Sequence, residues 1–181
     1  MSRVRVHSSP GRLRRPRRAL LLTAAILLLV IRFQNLGLQR VLVINTSPSV
    51  APGLYLRSSE QPAIGKLVDF RIPPTARDYL RGRTGNDGED WYILKPIAAG
   101  PGDRVDTTGP WLVINGRQVA PMPPQTDGNG RRLPRWRADR VLRTGEFFVF
   151  SDRIPNSFDS RCYGPITRGQ IAAVRRSFIV W

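Results

Sequence analysis

The sequence predicts a mostly β fold: one antiparallel β-domain behind a single N-terminal transmembrane helix. Three observations predict it. Short apolar runs rich in β-branched and aromatic residues recur at 41–44, 67–72, 91–94, 111–114, 146–150 and 171–174, with Pro, Gly and Asp clusters between them. No long stretch with helical period follows residue 40. Residues 19–31 form an uninterrupted low-polarity run in which Thr23 is the one polar member.

Residues 1–18 carry seven arginines and no acid, and prolines break them. They read as a basic leader without a fold of its own. The apolar run that follows is short for a span of about 20 residues. Arg18 and Arg32 at its ends can snorkel, and Phe33 extends it to 19–33. A cleaved secretory leader and an uncleaved signal-anchor compete for this segment. Arg32-Phe33-Gln34-Asn35 offers no small-x-small cleavage site, which favours the anchor. The positive-inside rule then keeps the leader in the cytoplasm and exports residues 40–181.

The formal net charge is +16, a balance that raises nucleic acid as a partner. Seven of those charges sit in the leader, and an exported domain meets no genomic DNA, so nucleic acid is not expected. The densest basic stretch of the remainder is 131–143, six arginines against Asp139. The single Cys162 excludes an intrachain disulfide and a cysteine-based metal site. His7, the one histidine, lies in the leader, so the folded part has neither a Ser-His-Asp triad nor a histidine-ligated metal. No cofactor or metal is expected. Of the 29 basic residues only Lys66 and Lys95 are lysine. A lysine in an apolar setting then suggests a task arginine cannot perform, because lysine can lose its proton.

Along the domain, the strand at 41–44 empties into Asn45-Thr46-Ser47-Pro48-Ser49-Val50-Ala51-Pro52-Gly53. Pro fixes φ and Gly relaxes it, so this turn can hold the Ser49 hydroxyl in one direction. A serine between prolines is more often plain loop than nucleophile, and the turn alone leaves both open. After the strand at 67–72, residues 75–83 hold one helical turn or two. Alternation along 91–95 puts Trp91, Ile93 and Lys95 on one face. Burial disfavours the charged amine there, and lowering it from about 10.4 to about 7 takes about 4.6 kcal/mol, within reach of burial alone. A neutral Lys95 could then deprotonate Ser49; a lysine snorkelling from a strand end into water is the plainer alternative. Gly100-Pro101-Gly102-Asp103 reads as a tight turn, since the helix a phosphate loop needs is missing. Asn115-Gly116 after the run at 111–114 is a hairpin signal, inside a loop-rich insert near 106–140. Asn156-Ser157-Phe158-Asp159-Ser160-Arg161 precedes the last strand. Asp159 and Arg161 can pair, and Ser157 can hydrogen-bond the Lys95 amine; a simple Asx/Ser turn is the minimum description.

These blocks, in this order, resemble the type I signal peptidases, membrane-anchored Ser/Lys peptidases. Ser47-Pro48-Ser49-Val50-Ala51-Pro52 is similar to their Ser-x-Ser-Met-x-Pro block, with Val50 for Met. Lys95 followed by Ala99-Gly100-Pro101-Gly102-Asp103 is similar to their lysine block, and 156–161 to their Asn-Ser-x-Asp-Ser-Arg block. The phrasing at 45–49, 130–136 and 157–165 resembles the conjugative-transfer branch, often called TraF-like. The resemblance implies Ser49 as nucleophile and Lys95 as general base. It further implies Ser47 and the Ser49 N–H as oxyanion donors, Ser157 orienting Lys95, and Asp159 and Arg161 in support. It also implies a bacterial inner-membrane enzyme with a periplasmic catalytic domain. Its substrate would be a pilin precursor, trimmed near its C-terminus and in some members joined end to end. Pro96 departs from the usual Arg, and Arg153-Ile154-Pro155 from the usual polar residues. A general peptidase for secretory leaders uses the same residues, and a non-catalytic tethered β-domain is the third alternative.

Overall fold

The computed structural model of the chain describes residues 41–84, 91–127 and 129–181. The leader at 1–18 and the anchor expected at 19–33 lie outside the described residues. Among the described residues no helix is long and apolar enough to cross a membrane.

The domain is mostly β and antiparallel. The main sheet has seven strands in the order β1-β2-β11-β3-β4-β9-β10. They are β1 (Leu42–Asn45), β2 (Gly53–Ser58), β3 (Leu67–Arg71), β4 (Tyr92–Ala99), β9 (Glu146–Val149), β10 (Ile166–Thr167) and β11 (Ile171–Val180). A second sheet has the order β7-β6-β5-β8. Its strands are β5 (Arg104–Asp106), β6 (Trp111–Ile114), β7 (Arg117–Pro121) and β8 (Asp139–Val141).

Three groups of apolar side chains hold these layers. Val68, Phe70, Ile97, Val149, Ile166 and Val174 belong to the largest. It takes in helix α1 (Pro74–Thr84) through Ala76 and Leu80, one turn apart on one face. The helix runs longer than the one or two turns expected, because packing supplies what its weak periodicity does not. Val105 and Leu112 of the second sheet, with Leu142 just past β8, pack on Ala99, Phe148 and Phe150. The third group is small: Val50, Tyr55 and Leu94.

The Asn115-Gly116 hairpin forms between β6 and β7, with φ of 51° and 79° at the two turn residues. Gly100 to Asp103 is the tight turn expected, closed by Gly100 N–H on the Asp103 carboxylate at 2.8 Å. The insert expected to be loop-rich near 106–140 holds two full strands and is irregular mainly over 122–138. Strand β2 follows directly from the turn that carries Ser49. Its first residue, Gly53, lies against β11: a Cβ there would sit 2.3 Å from the Ile179 carbonyl oxygen. A side chain at this position would push the two strands apart.

Candidate active site

The turn that carries Ser49 is tied down from several sides. Asn45, the buried last residue of β1, spends its side chain on the turn. Its Nδ2 donates to the carbonyls of Ser47, Val50 and Ala51 at 3.0, 3.0 and 3.1 Å, and its Oδ1 accepts from Ser47 N at 3.2 Å. Tyr55 Oη donates to the Ala51 carbonyl at 2.6 Å. Ser151, just past β9, donates its hydroxyl to the Ser49 carbonyl. Ser49 is 5% exposed, so its hydroxyl sits in a wall rather than on a mobile tip.

Lys95 arrives on β4, paired with Val68 of β3. Next to it in sequence, Leu94 packs with Val50, which follows Ser49. One apolar contact between neighbours thus holds the two polar residues in a common region. Pro96 is tolerated here because it faces the β9 side, where its carbonyl accepts from Phe150 N at 3.1 Å and strand pairing begins only at Ile97.

The Lys95 amine donates to Ser157 Oγ at 2.9 Å and is 3% exposed. Burial brings it down from 10.5 to about 8, with the Asp159 carboxylate working in the opposite direction. That is a smaller drop than the fall to about 7 that the sequence reading allowed for. At pH 7 about one molecule in ten then carries a neutral Lys95. Lys66, by contrast, is half exposed and paired with Glu60 at 3.0 Å.

Ser157, Asp159 and Arg161 form a buried block. Arg161 Nε and Nη2 donate to the two Asp159 oxygens, each at 2.9 Å. Arg161 also donates to the Pro121 carbonyl at 2.7 Å and lies 4.6 Å over the Phe150 ring. Asp159 caps the short helix α2 (Ser160–Tyr163). A buried ion pair that also satisfies backbone groups is rigid, because any displacement strands a charge.

A cavity of about 470 Å³ joins these parts. Asn45, Ser47, Ser49 and Lys95 line it together with the apolar side chains of Ile72, Leu80, Trp91, Ile93 and Phe158. Ser49 and Lys95 do not hydrogen-bond to each other here. The Ser49 hydroxyl instead lies 3.0 Å from Ser47 Oγ. The Ser49 N–H donates to no described residue. Of the sequence-predicted residues, Ser47, Ser49 and Lys95 share the cavity, Ser157 touches Lys95 directly, and Asp159 and Arg161 stand behind. Asn45, Tyr55 and Ser151 were missed. Asn45 lay within the quoted stretch, and an Asx residue beside a Pro-Ser turn is a bracing signal; nothing local marks Ser151, which is far away in sequence.

Residues 16–181 match the signal peptidase family, peptidase S26. The chain is 33% identical over 147 residues to a plasmid transfer protein TraF from Escherichia coli, covering 76% of this chain and 82% of that one. It is 34% identical over 144 residues to a conjugal transfer protein TraF from Agrobacterium tumefaciens (strain 15955), covering 74% of this chain and 79% of that one. A signal peptidase I from Enterococcus faecalis V583 overlaps at a TM-score of 0.38 with 18% identity, over 65% of this chain and 98% of that one, too loosely to bear on the site.

Proposed function

The chain belongs to the peptidase S26 signal peptidase family, and from that premise we propose that it is a Ser/Lys endopeptidase that matures a pilin precursor for plasmid transfer. The observation that carries the reading is a buried lysine amine, bonded to Ser157, lining one cavity with Ser49. A plasmid transfer protein and a conjugal transfer protein are among its relatives, which supports the choice of substrate.

In this mechanism Ser49 Oγ turns from Ser47 toward Lys95 and gives its proton to the neutral amine as it attacks a substrate carbonyl. Catalytic hydrogen bonds often tighten only in the complex. The Ser49 N–H and the Ser47 hydroxyl hold the developing oxyanion. Collapse breaks the peptide bond, and the proton on Lys95 passes to the leaving amine. An ester to Ser49 remains. Water then resolves it, again giving its proton to Lys95. A substrate's own N-terminal amine competes where it lies beside the ester, since oriented intramolecular groups reach effective molarities of about 10⁵–10⁸ M. Residues 92–94 of β4 pair with β3 on one side only. Their open edge suits an extended substrate segment.

The enzyme is further proposed to sit in a bacterial inner membrane, anchored at 19–33, with its catalytic domain in the periplasm. Co-expression with a candidate pilin precursor, read by intact mass, tests the chemistry. Wild type should remove a short peptide, and a cyclic product weighs one water less than the trimmed chain. Ser49→Ala and Lys95→Arg should leave the precursor whole, because a guanidinium cannot lose its proton at working pH. Processing at a near-normal rate by Lys95→Arg would falsify the Ser/Lys reading. Protease protection of sealed inner-membrane vesicles checks the topology: digestion of the domain from the cytoplasmic side sinks it.

A further inference from the structure

Ser49 lines a second cavity besides the one it shares with Lys95. This one, of about 430 Å³, is bounded by Ser49, Val50, Leu67, Pro96, Ser151, Asp152 and Arg153. It is more open to solvent than the first. A peptide cut at Ser49 must run past it in two directions, so an endopeptidase needs space on both sides of the nucleophile. The two spaces differ in character. The first is walled by Ile72, Leu80, Trp91, Ile93 and Phe158 and encloses Lys95. It suits the acyl segment, which stays attached through the lifetime of the ester. The second is open and bears charge at its rim, which suits a segment that must depart after the first step.

Arg153 gives that second cavity a preference. Its guanidinium makes no hydrogen bond or ion pair with a described residue. Its backbone N–H contacts the Ser151 hydroxyl at 3.4 Å, the same hydroxyl that holds the Ser49 carbonyl. The cation is therefore seated on the segment that braces the nucleophile. Its field also reaches the Tyr55 hydroxyl beneath the turn. Asp152 lines the cavity too and forms no ion pair with Arg153. A guanidinium with no carboxylate of its own, facing a peptide-sized space, matches a carboxylate in geometry and charge.

We propose that this second cavity is the leaving-group subsite and that Arg153 binds a carboxylate of the departing segment there. The inference rests on the Ser/Lys reading above. The carboxylate has two possible sources, the substrate's free C-terminus or an acidic side chain near the cut. The first source makes the enzyme a trimmer of chain ends, because the subsite then measures the distance from the scissile bond to the terminus.

The test uses the full-length enzyme in detergent micelles and synthetic peptides spanning the bond mapped on the precursor. One peptide ends as the free acid and one as the amide. A third keeps the free acid but has each leaving-side Asp or Glu replaced by Asn or Gln. The quantity read is the ratio of kcat/KM between peptides within each enzyme variant, so that losses in folding or overall rate cancel. Wild type should prefer the acid over the amide by about three- to ten-fold, the range for a partly exposed charged pair. Arg153→Gln should bring that ratio to about one, and Arg153→Lys should keep part of it. A preference that instead follows the Asp and Glu replacements, and is lost in Arg153→Gln, supports the subsite with the side chain as source. Equal rates for all three peptides overturn the subsite and leave the Ser/Lys reading standing. So does a preference that survives Arg153→Gln, or a preference for the amide, which would mean that Asp152 dominates. Cleavage of no peptide, with the precursor also uncut, overturns both.

Discussion

Replacing Lys95 by methionine removes a buried amine while keeping most of its length. In the folded protein that amine sits at about 8, lowered from 10.5 chiefly by burial. In the unfolded chain it returns to about 10.4. The gap of about 2.5 units corresponds to about 3 kcal/mol. Its sign follows from proton counting. Between pH 8 and pH 10.5 the unfolded chain holds a proton that the folded one has lost, so wild-type stability rises with pH across that window. Below pH 8 the full cost of burying the charge weighs on the folded state. Lys95→Met carries no such cost, but it leaves the Ser157 hydroxyl without its partner, a loss of about 1–3 kcal/mol. The variant should therefore equal or exceed wild type by up to about 2 kcal/mol at pH 7, and fall below it by about 1–3 kcal/mol near pH 10.5. Urea unfolding of both full-length proteins in detergent, followed by tryptophan fluorescence at a series of pH values, measures the difference directly. Other titrating groups are common to both proteins and cancel. A difference that stays flat from pH 7 to pH 10.5 would mean Lys95 titrates normally in the fold, and the general-base assignment would lose its electrostatic basis.

Three further outcomes are expected. On the Ser/Lys reading the neutral amine is the active form, so kcat/KM for the mapped peptide should climb with pH and level off above about 8; an optimum below pH 6 would be incompatible with it. Asp69 holds Arg175 through two buried bonds of 2.8 and 2.9 Å between β3 and β11. Asp69→Asn should cost about 3–5 kcal/mol by calorimetry, and Asp69→Leu paired with Arg175→Leu much less; equal losses would mean the pair is not what joins these strands. Cys162 is 3% exposed and its thiol is pushed up to about 12 by burial, so iodoacetamide should label it only in denaturant, and rapid labelling of the native protein would contradict its placement.

The reach of sequence reasoning here followed the range of the forces involved. Strand β6 and its Asn115-Gly116 turn were legible because alternation and turn chemistry are local. Ser49 and Lys95 could be singled out because their residue types are chemically restricted, and the structure places both on one cavity. Strand β2 was not seen, because Leu54, Tyr55 and Leu56 follow Pro52-Gly53 and look like the tail of a turn. It exists because β1 and β11 supply partners on both sides. Strands β5, β8 and β10 are two or three residues long and owe their form to pairing rather than propensity. Helix α1 outran its weak amphipathic signal for a similar reason. Arg153 could be read only as a departure from a motif. That it borders a cavity shared with Ser49 depends on two segments about a hundred residues apart.

The strand order of the main sheet bears on when this chain can act. Strands β1 and β2 flank Ser49 and β4, paired with β3, carries Lys95; within the sheet the two pairs are bonded only through β11. That strand is formed by Ile171–Val180. Without it the Ser49 turn and Lys95 would lie on separate pieces of sheet. On the Ser/Lys reading, a competent site therefore requires β11 to lie between β2 and β3. A single proteolytic nick that releases β11 is therefore expected to silence that activity with Ser49 and Lys95 both intact.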